Sequence, residues 1–422
     1  MKGQLLRRWN KFLVAGAMVA LVAGLGSTLP SAYAGGTIKA DDDKWISVGM
    51  GIRTSFNSVE NGSANGREYS NEFAINNARI YVNGQLHKYV KFEFNTECFN
   101  CSVAGGNAAG SNQFGSNSSI GLLDAIGKFE FHPMFNLWVG RMLLPSERGE
   151  LNGPFYHATF DGFRTPFFPA DFSGNFNNGA GLYGRDNAAT LWGKFHPSFG
   201  THLLYAVSVS QGLRNLTNPG NSLMYTGRLQ WNLLNDENNP GYYTSGTYYG
   251  TAGDIAAIAV SVQHQKDGAG SATAGVSDFT GASVDVLIEK VLPNNGGVFT
   301  FNGEFKRHWA NYGAPATATT VTDCFCTFNG DSWTVYGLYL IPNEVGIGRF
   351  QPYMRFTSID PRYSSLRQEW EYGVNYIISG HNARVSVYGR YGDIETKGLT
   401  NFASGASGNK VDSFHVALQL QY

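Results

Sequence analysis

The last nine residues, Phe414 to Tyr422, alternate apolar and polar without a break. Phe414, Val416, Leu418, Leu420 and Tyr422 share one face; His415, Ala417, Gln419 and Gln421 share the other. Side chains of a strand alternate faces, so this is a strand with one apolar wall and one polar wall. The same alternation recurs over 45–56, 73–84, 88–97, 122–131, 135–143, 182–195, 201–211, 223–233, 254–265, 280–291, 298–309, 332–341, 349–358, 368–378, 384–393 and 412–422. Most of these stretches have the length of about ten residues that a tilted strand needs to cross a bilayer. They predict an all-β fold: a transmembrane, antiparallel up-and-down β-barrel of 16 strands, greasy outside and wet inside.

The connections between the stretches also alternate. Gln85-Leu86-His87, His132-Pro133-Met134, His196-Pro197-Ser198, 293–296, Pro342-Asn343 and Gly380-His381-Asn382 are short and carry turn residues. Residues 57–72, 98–121, 144–181, 212–222, 266–279, 310–331, 359–367 and 394–411 are long and rich in Gly, Ser, Asn and Thr. Short turns at one mouth and long loops at the other are the habit of bacterial barrels, with the short turns in the periplasm. Residues 234–253 break the rule, being long at a short-turn position. Either that turn is extended or a hairpin hides there and the count is 18.

The two ends of the chain agree with export to an outer membrane. Lys2, Arg7, Arg8 and Lys11 precede an apolar stretch from Phe12 to Leu25, and Ala32-Tyr33-Ala34 fits a cleavage site. Residues 1–34 are therefore expected to be a cleaved signal peptide, with the barrel over 35–422. A terminal strand ending in an aromatic resembles the insertion signal of bacterial outer-membrane barrels. After Leu29 no run of apolar residues is long enough for a spanning helix.

Composition sharpens this picture. Charged residues make up only 15% of the chain and aromatics 14%, which suits a lipid-facing wall with aromatic girdles. The formal net charge of −1 gives no reason to expect a nucleic-acid partner. No cofactor or metal is expected. Cys98, Cys101, Cys324 and Cys326 sit in two long loops and, in an oxidising space, are disulfide candidates. Their connectivity is open. No Gly-x-Ser-x-Gly or His-Glu-x-x-His motif is present, and no enzyme is expected.

Parity sorts the remaining charges. With the apolar face turned to lipid, Arg53, Arg79, Lys91, Lys128, Lys194, Arg228, Lys306, Arg355, Arg384 and Arg390 point into the lumen. So do Glu93, Glu130, Asp285, Glu289, Glu304, Glu369 and Glu371. The modest basic excess predicts a weak anion preference, reduced wherever neighbours such as Lys91 and Glu130 pair. A 16-strand barrel leaves an aqueous channel unless something fills it. The third long loop, 144–181, holds eight aromatics and four prolines. It is the one segment expected to fold inward, where Glu147, Arg148, Glu150, Asp161, Arg164 and Asp171 would line a constriction.

Four places resemble the phosphate-selective porin O and P family. They are Ala78-Arg79-Ile80-Tyr81-Val82-Asn83-Gly84 with Val90-Lys91-Phe92-Glu93-Phe94, then Leu137 to Pro145, Tyr183-Gly184-Arg185-Asp186, and the terminal strand. The resemblance implies a homotrimer of outer-membrane barrels that pass small hydrophilic solutes or ions. Phosphate selectivity in that family rests on a dense arginine ladder; here the inner basic residues are scattered among acids. A plugged barrel with a structural or adhesive role, or an enzyme embedded in a barrel, are the rival classes.

Overall fold

The computed structural model describes residues 36–41, 43–99, 119–162, 164–166, 184–197, 200–212, 220–271, 275–310, 328–399 and 406–422. Every alternating stretch is a strand. In chain order they are β2 (Trp45–Val59), β3 (Glu72–His87), β4 (Val90–Phe99), β5 (Ser119–His132), β6 (Phe135–Leu143), β7 (Arg185–Phe195), β8 (His202–Ser210) and β9 (Met224–Asn232). They continue as β10 (Ile255–Ser271), β11 (Gly275–Val291), β12 (Val298–Ala310), β13 (Gly330–Leu340), β14 (Arg349–Pro361), β15 (Arg367–Ser379), β16 (Ala383–Gly392) and β17 (Val411–Gln421). Each is antiparallel to its sequence neighbours, and β17 pairs with β2 from Ser413↔Val59 to Gln421↔Gly51. The sheet is thus a closed barrel of 16 strands.

One short strand was not legible in the sequence. β1 (Gly36–Lys39) pairs with the start of β2, from Gly36↔Val48 to Lys39↔Trp45. It lies in line with Tyr422, which exchanges backbone hydrogen bonds of 2.8 and 2.9 Å with Met50. β1 therefore continues the closing seam past the point where β17 ends, and satisfies backbone groups that would otherwise stay unpaired.

β12 shows why the strands sit as they do. Thr300, Asn302, Glu304, Lys306 and His308 are buried on the inner face, while Phe299, Phe305 and Trp309 are exposed on the outer one. One departure from strict alternation has a local cause. Gly140 has φ +133° and lies so close to Ala125 that a Cβ would fall 2.0 Å from its carbonyl oxygen. Beyond this irregular point Arg141, Met142 and Leu143 are all buried. In the turn after β11, Asn294 and Asn295 both take φ +55°, the left-handed conformation that Asn tolerates best after Gly.

The long connection at a short-turn position resolves without extra strands. Residues 234–253 carry none, so the count is 16 and not 18. The segment leaves β9 and turns back into the barrel. The third loop does the same from the opposite mouth, beginning with a one-turn helix, α1 (Arg148–Leu151). The expectation that the third loop alone folds inward is therefore corrected. Its residues 144–162 and 164–166 and the 234–253 turn meet inside the barrel. A core of Ile126, Trp138, Met142, Leu143, Leu151, Trp192 and Tyr242 draws on the wall and on both inserts. The sequence suggested only an extended turn or a hidden hairpin there, because the burial of Tyr242, Tyr248 and Tyr249 depends on partners that come from distant strands.

Candidate functional site in the barrel lumen

The expected lumen residues do face inward, but most of them do not face water. The wall of β12 to β17, with β2, presents a set of cations to the third loop. Arg384 donates to the carbonyl oxygens of His157 at 2.7 Å, Ala158 at 3.2 Å and Thr159 at 3.2 Å. Arg355 donates to the Thr159 hydroxyl at 2.9 Å and to the Asp161 carbonyl at 2.7 Å. Arg53 donates to the Phe160 carbonyl and stacks over the Phe160 ring at 4.1 Å. Lys306 donates to the Pro166 carbonyl at 2.9 Å and pairs with Glu147. A loop inside a barrel has backbone carbonyls that no neighbouring strand can satisfy. These guanidinium and ammonium groups satisfy them.

Ion pairs complete the seat. Asp161 meets Arg390 at 2.7 Å, and Arg164 meets Glu369 through two hydrogen bonds. Arg390 and Arg355 share Glu371, at 2.8 and 2.7 Å. Glu304 accepts from the Gly149 N–H at 2.9 Å, an approach that leaves no room for a Cβ there. Burial acts to raise the Asp161 carboxyl, but Arg390, Arg164, Arg355 and Arg53 outweigh it and hold it well below the usual carboxylate range. Burial, then Arg53, Arg355 and Arg384, push His157 well below the usual imidazole range. Asp171 and the rest of the predicted constriction, 167–181, lie outside the described residues.

The second insert is held by charges of both signs, with Lys194 meeting Asp236 at 3.1 Å. Glu289 on β11 accepts from the Thr247 hydroxyl at 2.8 Å and from the N–H groups of Tyr248 at 2.9 Å and Gly250 at 2.8 Å. Arg228 on β9 pairs with Asp285 and donates to the Ser146 carbonyl at 2.8 Å. Between the inserts, Arg148 makes two 2.7 Å hydrogen bonds to Glu237, and the Gly246 N–H donates to the Tyr156 carbonyl at 2.8 Å. Gly241, at φ +59°, sits against the Trp138 ring, where a Cβ would meet carbon at 2.4 Å.

The side of the barrel formed by β2 to β7 is left open. A cavity of about 750 Å³ runs there from the short-turn mouth, past Thr37, Trp45 and Gln85, to Arg79, Asp124 and Arg185 on the wall. Leu151, Asn152, Gly153 and Tyr156 of the third loop, and Asn239, Pro240, Tyr243 and Thr244 of the second insert, close it on the inner side. Its inner charges are paired: Arg79 with Glu97 at 2.6 Å, Arg185 with Asp124 at 2.5 Å, and Lys128 with Glu93, while Lys39 at the mouth is exposed. Lys91 pairs with Glu130 at 2.7 Å nearer the mouth. Of the residues expected to line a pore, Arg79, Glu93 and Lys128 border this space. Arg53, Arg228, Glu304, Lys306, Arg355, Arg384 and Arg390 hold the inserts instead, with Glu147, Arg148, Asp161 and Arg164 as their loop partners. Arg185 and Asp124 were missed as lining residues. Asp124 shares the inward parity of Lys128 and was passed over, whereas Arg185 is the first residue of β7 and is buried out of phase with Thr190 and Trp192, so parity misplaces it.

Cys98 is disulfide-bonded. Cys101, Cys324 and Cys326 lie outside the described residues, as does the expected leader.

No family model matches the sequence, and no curated protein matches it. Solved structures do match the fold. The fold is that of an outer-membrane porin. The anion-selective porin from Comamonas acidovorans aligns with 90% of this chain and 100% of its own, at a TM-score of 0.53 and 14% identity. OmpF of Salmonella typhi, solved with daunomycin, aligns with 92% of this chain and 100% of its own, at 0.53 and 13%. The outer-membrane channel DcaP of Acinetobacter baumannii aligns with 92% and 100%, at 0.51 and 13%. At these identities the likeness is one of architecture.

Proposed function

We propose that the chain is an outer-membrane porin, a passive channel for small hydrophilic solutes or ions, with its short turns in the periplasm and its long loops outside. The observation that carries this reading is the polar cavity between the β2 to β7 wall and the two inserts. It opens at the short-turn mouth and is lined by charged, amide and phenol groups. The outer surface supports a membrane setting. Alternate residues such as Met50, Val260, Val262, Phe299, Trp370 and Tyr372 are exposed and apolar around the barrel. Contiguous apolar surface on that scale is foreign to a water-borne monomer.

A weak anion preference remains part of the proposal, now on different residues. Lys39, Arg79, Lys128 and Arg185 line the cavity against Glu93 and Asp124. Inward cations favour anions, and the pairing keeps the effect small. Phosphate specificity is not proposed, because the arginines that would serve it are engaged by loop carbonyls and carboxylates. The homotrimer implied by the family resemblance is carried with the reading, as is the absence of an enzymatic role.

Planar-bilayer recording of the purified chain tests the proposal. Discrete conductance steps in potassium chloride, with a reversal potential shifted slightly toward chloride under a gradient, are expected. A chain that inserts and gives no steps is a plugged barrel, and the proposal fails.

A further inference from the structure

We propose that the cavity beside β2 to β7 is a binding station for an uncharged, polyhydroxylated solute of sugar class; this deepens, and rests on, the channel reading. Three residues of its lining, each with a buried polar atom that has no hydrogen-bond partner among the described residues, carry the inference. Asn152 accepts from the Thr244 hydroxyl at 2.7 Å, but its amide nitrogen is buried with no partner among the described residues. Asn95 donates to Glu93 at 2.7 Å and to Asp124 at 2.9 Å, and its amide oxygen has no partner among them either. The Tyr243 hydroxyl is the third. Asn152 and Asn95 are 2% and 6% exposed. Buried polar groups are nearly always hydrogen-bonded, so an unmatched set around one cavity marks a place for a ligand or ordered water.

The chemistry of that set selects the ligand. It offers one amide donor, one amide acceptor and one phenol that does both. Hydroxyl groups match it, because each donates and accepts. Of the cavity's cations, by contrast, all but Lys39 at the exposed mouth are engaged. Arg79, Lys128 and Arg185 each hold a carboxylate, and an anion must compete with those carboxylates for them. A polyol displaces nothing. The rings of Trp45, Tyr81, Tyr156 and Tyr243 border the same space and supply apolar faces for the C–H side of a sugar ring. Tyr243 is braced edge-on to Trp138 at 5.4 Å, so its hydroxyl is presented by a fixed ring.

The test is a fluorescence titration of the full chain in detergent, since Trp45 lines the cavity. The probes are a linear glucose trisaccharide, glucose, gluconate and inorganic phosphate. A saturable response to the trisaccharide is expected, with glucose binding at least as well as gluconate. Tyr243→Phe removes one oxygen and should raise the half-saturating trisaccharide concentration about five- to tenfold; Asn152→Leu should act in the same direction. No saturable response to either neutral sugar overturns the proposal, as does tighter binding of gluconate or phosphate. An unchanged affinity in Tyr243→Phe overturns the assignment to this cavity. Conductance separates the two readings. Ion current without sugar binding removes the station alone. Sugar binding without ion current removes the channel and leaves the station.

Discussion

Arg148 of the third loop and Glu237 of the 234–253 turn meet inside the barrel through two 2.7 Å hydrogen bonds, and both side chains are 2% exposed. One enters from the long-loop mouth and the other from the short-turn mouth. Their pairing joins the two inserts into one body and fixes how much lumen is left. Removing one partner strands the other charge in a buried site, at a cost of about 3–5 kcal/mol. Arg148→Ala should therefore destabilise the seat of both inserts and raise single-channel conductance and its noise. In a double-mutant cycle with Glu237→Gln, the two effects should be far from additive. Additive effects on the thermal midpoint would mean that the inserts are independent.

Deleting either insert should widen the path. Removal of about 150–166 is expected to raise conductance, and so is removal of 236–251, closed by a short glycine linker. The second deletion is the more telling. Conductance unchanged from the intact chain would place the 234–253 turn outside the conducting path.

Charge substitutions should divide by location. Arg384 and Arg390 point inward, and their replacement by Glu would shift the reversal potential if they lined the path. In the structure Arg384 holds the carbonyls of residues 157–159 and Arg390 holds Asp161. Arg384→Glu is expected to loosen the loop, seen as larger and noisier steps. Lys128→Gln and Arg185→Gln, on the cavity wall, are expected to move the reversal potential toward cations. The opposite division would place the path on the β15 to β17 side.

Acid should loosen the third loop through His157. Its folded pKa lies well below the ordinary 6.5, under burial and then Arg53, Arg355 and Arg384, with Asp161 acting the other way. The seated loop thus binds fewer protons than the released loop. Its stability is complete above about pH 6.5 and falls as pH drops from there toward the depressed value, by up to tenfold in the equilibrium per pH unit. Asp161, depressed below its ordinary 3.8, keeps its contribution through that window and loses it only at lower pH. Conductance should rise between pH 7 and pH 5 in the natural chain and stay flat in His157→Gln. Equal slopes would remove His157 from the account.

Orientation has its own check. A cysteine placed at Asn295, in the tight turn after β11, should resist a membrane-impermeant thiol reagent in intact cells. Efficient labelling there would invert the topology.

Much of this was legible in the sequence because two-residue periodicity is a local property. Every expected stretch overlaps a strand, and inward parity held for Arg384, Ser386, Tyr388 and Arg390 on β16. What those side chains touch was not legible. Arg384 and His157 are 227 residues apart, and nothing in either neighbourhood announces the other. The second insert was hidden for the same reason: Glu289 caps the N–H groups of 248 and 250 from a strand that comes later in the chain. β1 escaped because four residues, Gly36 to Lys39, are too few for a pattern and gain their structure by pairing with the start of β2.

The central claim is a water-filled path along the β2 to β7 wall, and one recording addresses it directly. Asn83→Cys lies on the cavity lining, whereas Ser386→Cys lies behind the third loop with no exposure. Single channels of each are recorded in potassium chloride before and after a charged methanethiosulfonate reagent is added at the short-turn mouth. The account predicts open steps in both and an abrupt fall in current for Asn83→Cys alone. No steps in either, or an equal fall for Ser386→Cys, would contradict it.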